Sequence, residues 1–351
     1  MKRWLVITVK LGIAVGLLTY LVSAGKLDIG AIHVRAGGWH WAGLSLAAIV
    51  LALLSIIFRW QLLLRGLGIA FPFRQALKLQ MIGCLFYNFG LGNAGGDIAQ
   101  VLLAQKHSNG KRMETAVSVL ANRLIGMMAL LPIAVVGLGL NAPKLAQNLA
   151  IDPIMTAASA AVLILVALVG GWIFLHRYAS LSPGAFLYHP TLATIAAQLK
   201  EALGLLTSQR RYPTAAFGVA LATHVFNVAA FYFMSRALPT EPVGFGVLLF
   251  VVPIGYLAAI LPIAPAGVGV GQVAFGFLIA LTTSSQPELG ANLFTAYQVV
   301  TSLVNLSGLY FFFRLRRQKK VPDQAAKESS GTIAHSDDSS GCLSKPLGTT
   351  K

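Results

Sequence analysis

Charged residues are scarce in this 351-residue chain, and acidic residues are scarcer still, with 11 Asp and Glu against 27 Lys and Arg. Charged residues make up 11% of the sequence, whereas soluble domains carry about a quarter. Hydrophobic residues make up 56%, so the composition excludes an ordinary soluble domain and indicates a polytopic membrane protein. The net charge of +16 does not indicate a nucleic-acid partner, because the basic residues lie in loops between apolar runs.

Cysteine and histidine are also few. The two cysteines, Cys84 and Cys342, lie in an apolar run and near the C-terminus, and they suggest no disulfide framework. The 7 histidines are scattered, without metal-ligand spacing. His224 and Asn227 lie one helical turn apart, and we expect them to make interhelical hydrogen bonds. The sequence predicts no metal site and no cofactor, and it identifies no catalytic residue.

Long apolar runs, by contrast, are abundant. The first run, Trp4–Ala24, follows two basic residues and ends in small ones, which also fits a signal peptide. Lys10 interrupts the run and its apolar part is long, so the sequence favours an uncleaved first membrane helix, near the roughly 20 residues that span the hydrocarbon core. The predicted single crossings are Trp4–Ala24, Trp39–Phe58, Thr115–Leu140, Pro153–Leu175, Pro213–Ser235 and Leu289–Phe313.

The basic residues beside these runs predict the orientation. The N-terminus begins with Met-Lys-Arg and so faces the cytoplasm, and the basic cluster from Arg314 to Lys320 stops the last crossing on the same side. A basic cytoplasmic loop is predicted from Arg59 onward. We therefore expect a bacterial inner-membrane protein with both termini inside. Residues 1–320 form its membrane domain, and residues 321–351 form a disordered tail without apolar periodicity.

Two glycine-rich segments interrupt the apolar pattern. The segment from Asn88 to Gln100 contains four glycines, two asparagines and an aspartate, and the segment from Leu261 to Gln272 contains two prolines and three glycines. Neither can continue a lipid-facing helix, because backbone groups freed in hydrocarbon cost several kcal/mol each. Each segment is therefore expected to break a helix at membrane depth, buried in protein or lining a cavity.

The charges of the loops leave the number of crossings open. Basic residues flank both ends of Leu79–Gln105, which favours a re-entrant hairpin that enters and leaves on the cytoplasmic side. The flanks of Val243–Thr283 are poor in basic residues, so this segment is either a second re-entrant hairpin or two full crossings. The predicted fold is an all-α integral membrane bundle with six to eight crossings and one or two re-entrant broken hairpins.

The order of helices and broken segments predicts an inverted repeat. The two halves cover about residues 1–140 and 151–320, and each contains helices followed by a broken segment and a final helix. The first half begins inside and the second begins outside. Inverted repeats with broken helices near the midplane are typical of many transporters.

A charge inside the third predicted crossing marks a candidate site. Arg123 would cost at least a few kcal/mol there unless it faced water or a partner, and Asp97 is the expected partner. The pair is either purely structural, or Arg123 also grips an anionic group such as a lipid phosphate. The glycines after each break either expose helix N-terminal amides to an anion or only allow tight packing. The candidate substrate-binding residues are Asn93, Gly95, Gly96, Asp97, Asn122, Arg123, Pro265, Gly267, Gly269 and Gln272.

These motifs resemble the flippase-like membrane domain of the lysylphosphatidylglycerol synthases, over about residues 4–315. Three positions that are usually charged in that family are neutral here, since Gln100 replaces Arg and both Asn122 and Gln272 replace Glu. The matching residues are Ala94-Gly95-Gly96-Asp97 in the first motif, Arg123 in the middle motif, and Pro262, Pro265, Gly267 and Gly269 in the last.

The resemblance implies lipid translocation and not aminoacyl transfer, because the lipid-modifying enzyme of the family is a separate C-terminal soluble domain that this sequence lacks. The expected partner is a membrane lipid with an anionic headgroup, either a phospholipid or a polyisoprenoid- or hopanoid-type lipid. One alternative is a non-transporting subunit that anchors or regulates a lipid- or glycan-modifying enzyme. Another is an integral-membrane transferase acting on a lipid phosphate.

Overall fold

The computed structural model describes residues 33–89, 93–108, 110–148, 201–260, 268–283 and 285–315, together with residues 19, 30 and 198. The predicted crossings Trp4–Ala24 and Pro153–Leu175 and the predicted tail lie outside these residues. The described part is helical and contains no strand, which confirms the all-α prediction. Its longer helices are α1 (Trp39–Gly66), α2 (Phe73–Phe89), α3 (Asn93–Gln105), α4 (Arg112–Asn148), α5 (Arg211–Ala237), α6 (Phe245–Ala259), α7 (Val270–Thr283) and α8 (Pro287–Leu306), and residues 201–208 and 308–315 are also helical.

Four described helices are long and apolar enough to cross a membrane, and each overlaps a predicted crossing. They fit the expectation that long apolar runs with polar ends become membrane helices, and they identify the protein as a helical membrane protein. These helices are Trp39–Gly66, Arg112–Pro143, Arg211–Ala237 and Pro287–Leu315.

The predicted end of the first of these helices was wrong. α1 continues past Phe58 for two more turns to Gly66, so Arg59 lies inside a membrane helix and not in a loop. The apolar pattern continues through Trp60 and Leu64, which are fully buried, and this burial keeps the helix going despite the charge.

α1 and α5 pack antiparallel along their whole length. At one end, the amide of Arg35 donates to the carbonyl of Ala237 at 2.9 Å. In the middle, the hydroxyl of Ser45 donates to the carbonyl of Ala230 at 2.8 Å. At the other end, Gly66 lies against the side chain of Tyr212. This pair joins the two halves of the chain.

α2 and α3 form an antiparallel hairpin around the first glycine-rich segment. Gly83 faces Gly96, and the amide nitrogen of Gln100 donates to the amide oxygen of Gln80 at 2.8 Å. The two ends of the hairpin that connect to α1 and α4 lie close together, because the ammonium of Lys111, in the loop between α3 and α4, donates to the carbonyl of Gly68, in the loop between α1 and α2, at 3.0 Å. The two arms have 17 and 13 residues, or roughly 26 and 20 Å at 1.5 Å per residue.

α6, α7 and α8 surround an aromatic cluster that is the main core of the second half. The ring of Phe231 on α5 stacks on Phe275 of α7 at 4.9 Å and on Tyr297 of α8 at 4.1 Å. Phe275 and Phe294 lie 4.7 Å apart, so α7 and α8 share this core. Aromatic pairs at such distances add about 0.5–1.5 kcal/mol beyond the burial of their area, which ties three helices together.

The contacts among α1 to α4 recur among α5 to α8. In each half, the first helix packs on the second and the fourth, the second packs on the third, and the third packs on the fourth. Most contacts between the halves are also reciprocal, because α4 packs on α6 and α5 while α8 packs, less extensively, on α2 and α1; α4 packs in addition on α7. Because α1 and α5 are each the first helix of their half, the interface between them corresponds to itself when the halves are exchanged.

Candidate functional site

A cavity of about 360 Å³ lies among helices from both halves. α1, α2 and α4 contribute side chains from the first half, and α5, α6 and α8 contribute them from the second. The wall is unusual for a helix bundle because two arginines face it. The lining residues with polar groups are Arg59, Tyr87, Arg123, His224, Tyr256, Tyr297, Gln298, Thr301 and Ser302.

The predicted partnership of Arg123 with Asp97 is confirmed. Arg123 projects from α4, and its Nη1 donates to Oδ2 of Asp97 in the second turn of α3. The pair offsets the cost of a cation inside a membrane helix, and it holds the first hairpin against α4. Arg123 lines the cavity, so Asp97 lies directly behind a lining residue.

The close packing of α3 on α2 positions Asp97. A Cβ atom on Gly96 would lie 2.8 Å from the carbonyl oxygen of Gly83, so a larger residue would force the two arms apart. Gly96 therefore has at least the packing role that small residues have between membrane helices. Gly95 lies beside it in the first turn of α3 and is partly exposed.

Gln272 caps the start of α7. Gly269 precedes the helix with a φ of 84°, and its amide donates to Oε1 of Gln272 at 2.7 Å. A glutamine at the third helical position commonly reaches back in this way to the residue before the helix. The amide nitrogen of Gln272 donates to Oγ1 of Thr295 at 3.3 Å and to Oε1 of Gln298 at 3.1 Å. Gln272 is 1% exposed and therefore lies behind Gln298, which lines the cavity.

Asn122 holds the arginine that the sequence prediction placed in a loop. The Nε of Arg59 donates to Oδ1 of Asn122 at 2.7 Å, across 63 residues of sequence. Both residues are buried, and Arg59 is 6% exposed. The signal that could have found Arg59 is the apolar pattern that continues beyond it through Trp60 and residues 62–64.

The predicted interhelical bonding of His224 and Asn227 is also confirmed. Nε2 of His224 lies 2.8 Å from the carbonyl oxygen of Gly126 on α4, so this nitrogen carries the hydrogen. The hydroxyl of Tyr297 on α8 donates to Oδ1 of Asn227 at 3.0 Å. Sequence reasoning missed Tyr297 and the other lining aromatics, because an aromatic residue in an apolar run looks the same whether it faces a core or a cavity.

Of the three remaining candidate residues, Asn93 alone lies within the described part of the chain. Asn93 begins α3, and Pro265 and Gly267 lie outside the described residues. Gln100, which stands at a usually charged position, is bound by Gln80 in the first hairpin. Within the described segments, no three residues of the types His, Cys, Asp and Glu lie close enough together to hold a metal ion.

Comparison with known proteins identifies the family of the chain. No curated protein matched it. The family model described as the lysylphosphatidylglycerol synthase TM region matches residues 7–308, which include α1 to α8. This match covers most of the 351 residues and includes both glycine-rich segments and Arg123. The chain therefore belongs to the family of the lysylphosphatidylglycerol synthase TM region, which indicates a function connected with membrane lipids.

Proposed function

We propose that the protein is a flippase-like transporter of the bacterial inner membrane that binds an anionic lipid headgroup in the cavity between its halves. The observation that carries this proposal is the cavity wall itself, where Arg59 and Arg123 face a 360 Å³ space inside an apolar bundle. Ionisable residues inside membrane helices are costly and usually mark a substrate or ion pathway. A phospholipid, or a polyisoprenoid- or hopanoid-type lipid with an anionic group, fits such a wall.

We further propose that the two halves are an inverted repeat in which residue n of the first half corresponds to residue n+175 of the second. Asp97 contacts Arg123, and Gln272 contacts Gln298, with the same separation of 26 residues in both pairs. The offset also relates the lining positions Arg123, Gly126 and Met127 of α4 to Gln298, Thr301 and Ser302 of α8. The reciprocal helix contacts support the same relation, which is typical of transporters with a central site.

The lengths of the hairpin arms favour two re-entrant hairpins and six crossings. α2 and α3 have 17 and 13 residues, and α6 and α7 have 15 and 14, so each arm is roughly 20–26 Å long. A hydrocarbon core of about 30 Å needs about 20 helical residues. The end of the bundle where α1 ends and α5 begins would face the cytoplasm, because Arg65, Arg210 and Arg211 lie there.

This topology predicts the labelling of single cysteines. In a background with Cys84 and Cys342 replaced by Ser, cysteines at Arg65 and Lys106 should react with an impermeant maleimide only in inverted vesicles. Cysteines at Glu241 and Ser285 should react in intact spheroplasts. Reaction of the Lys106 position from outside would rule out the first re-entrant hairpin. Reaction of the cysteine at Ser285 only from the cytoplasm would rule out the proposed orientation of the second half.

Transport through the cavity can be tested with two neighbouring residues of α8. Ser302 lines the cavity, whereas its neighbour Leu303 is 62% exposed and does not line it. Ser302→Trp would fill much of the cavity, so we expect a loss of at least about tenfold in the rate of lipid movement, or 1.4 kcal/mol in barrier. Leu303→Trp adds the same ring outside the cavity and should keep the rate.

The measurement is the dithionite-accessible fraction of a fluorescent anionic phospholipid in proteoliposomes, with protein-free liposomes as the baseline. Mass spectrometry of lipid that co-purifies with each variant reports binding separately from movement. If the wild-type protein moves no lipid but retains it, the proposed transport is wrong and lipid binding stands. Equal rates for the two tryptophan variants would remove this cavity from the route.

A further inference from the structure

Arg59 is a buried cation on the cavity wall for which the described residues provide no counter-charge. Its contact with Asn122 is to a neutral amide, at 2.7 Å. The carboxylate of Asp97 pairs with Arg123 and not with Arg59. A buried ion carries a penalty of several kcal/mol that a counter-charge must offset. An anion that enters the cavity would supply it.

The guanidinium of Arg59 packs against Gly126 on the cavity wall. A Cβ atom on Gly126 would lie 3.0 Å from both Nη1 and Nη2 of Arg59, which is tighter than ordinary van der Waals contact. Glycine at this position therefore makes room for the two nitrogens that form the planar fork of an arginine. Such a fork binds carboxylate or phosphate through two parallel hydrogen bonds.

His224 adds a second unsatisfied group to the same wall. Its Nε2 donates to the carbonyl of Gly126, the residue that Arg59 also contacts. Its Nδ1 is buried and has no hydrogen-bond partner within the described residues. In the neutral ring with hydrogen on Nε2, Nδ1 is an acceptor, so it would pair with an O–H or N–H group of a ligand.

We propose that Arg59 and His224 form a headgroup subsite that takes a phosphate ester with a hydroxyl or amine next to the phosphate. The phosphate would bind the Nη atoms of Arg59, and the neighbouring donor would bind Nδ1 of His224. This inference rests on the proposed lipid binding and names the part of the cavity that recognises the headgroup. Arg123 is already held by Asp97, whereas Arg59 still needs an anion.

The sharpest test is Asn122→Asp. The substitution keeps the shape of the side chain and puts a carboxylate oxygen where Oδ1 of Asn122 now lies, 2.7 Å from Nε of Arg59. A built-in anion would satisfy Arg59, so the variant should fold at least as well as the wild type and lose affinity for anionic lipid. Arg59→Gln should lose the same affinity. Arg65→Gln is the control, because it removes an exposed arginine from the same helix.

Binding is measured by native mass spectrometry in nanodiscs of phosphatidylcholine with a few per cent of a dioleoyl test lipid. The test lipids are phosphatidylglycerol, which has hydroxyls, and phosphatidylmethanol, which has the same charge and none. Wild type and Arg65→Gln should prefer phosphatidylglycerol to phosphatidylcholine by at least about tenfold, as one charged hydrogen bond is worth. They should also prefer it to phosphatidylmethanol several-fold. The preference for phosphatidylglycerol over phosphatidylcholine should fall at least about tenfold in Asn122→Asp and in Arg59→Gln.

Each contrary result has a definite meaning. Wild-type affinity in Asn122→Asp and Arg59→Gln would overturn the role of Arg59. Equal binding of phosphatidylglycerol and phosphatidylmethanol would overturn the role of His224. Glycerol 3-phosphate that displaces the lipid would support the phosphate subsite, whereas binding of glycerol 3-phosphate without any lipid binding would assign the subsite to a soluble ester and overturn the lipid. If the wild type retains no lipid of any kind, the proposed function fails. If lipid is retained equally with Asn and with Asp at position 122, only this inference is overturned.

Discussion

Asp97→Asn and Arg123→Gln, made together, should yield far more folded protein than either substitution alone. The pair is half-buried, and a charge left without its partner inside a membrane helix costs about 2.5–3.5 kcal/mol, whereas removing both charges leaves none. The difference appears as a large coupling in a double-mutant cycle. The measurement is the thermal midpoint of a fluorescent fusion in detergent, followed by size-exclusion chromatography. Independent, additive losses would contradict the ion pair of Arg123 with Asp97.

Lipid retention by the double variant tests a second role of Arg123. Because Arg123 also lines the cavity, we expect retention of anionic lipid to stay below that of the wild type, and to fall less than in Arg59→Gln. Arg123→Lys should be impaired as well, because an ammonium does not offer two parallel donors to a phosphate. Wild-type retention in the double variant would leave Arg123 with a structural role only.

The long helices could be predicted from the sequence because the hydrophobic effect acts on local runs. The predicted crossing Thr115–Leu140 lies inside the observed α4, and Pro213–Ser235 lies inside α5 with a margin of two residues at each end. The ion pair of Asp97 with Arg123 was also predictable, because few acids lie in apolar surroundings and a buried cation needs one.

The rest of the site depends on contacts between distant helices. Because Arg59 is charged, it was predicted to begin a loop. Its burial depends on a contact with Asn122, which is 63 residues away. Gln272 was predicted either to bind a headgroup or to satisfy the broken backbone; its bond with the amide of Gly269 confirms the second role, and headgroup binding stays a prediction. Its contacts with Gly269 and Gln298 depend on the bend before α7 and on the packing of α8, which local pattern does not encode.

Gln298→Arg should greatly reduce the amount of folded protein, and adding Gln272→Glu should recover most of it. On the proposed repeat, these two positions correspond to Arg123 and Asp97, and their neutral side chains lie 3.1 Å apart. A cation introduced alone would have no counter-charge inside a membrane helix, at a cost of about 2.5–3.5 kcal/mol. The added carboxylate would meet it, and it could still accept from the amide of Gly269 at the start of α7, where a negative charge is favoured.

Gln298→Met is the matched control for this experiment. It has about the same length and introduces no charge, and each neutral hydrogen bond that it removes is worth about 1 kcal/mol. The thermal midpoints should therefore rank Gln298→Arg lowest, with Gln298→Met and the Gln272→Glu, Gln298→Arg pair well above it. If the pair is as unstable as Gln298→Arg alone, α7 and α8 do not reproduce the geometry with which α3 and α4 hold Asp97 and Arg123. The correspondence of residue n with residue n+175 would then be wrong at the position where it matters most for the cavity.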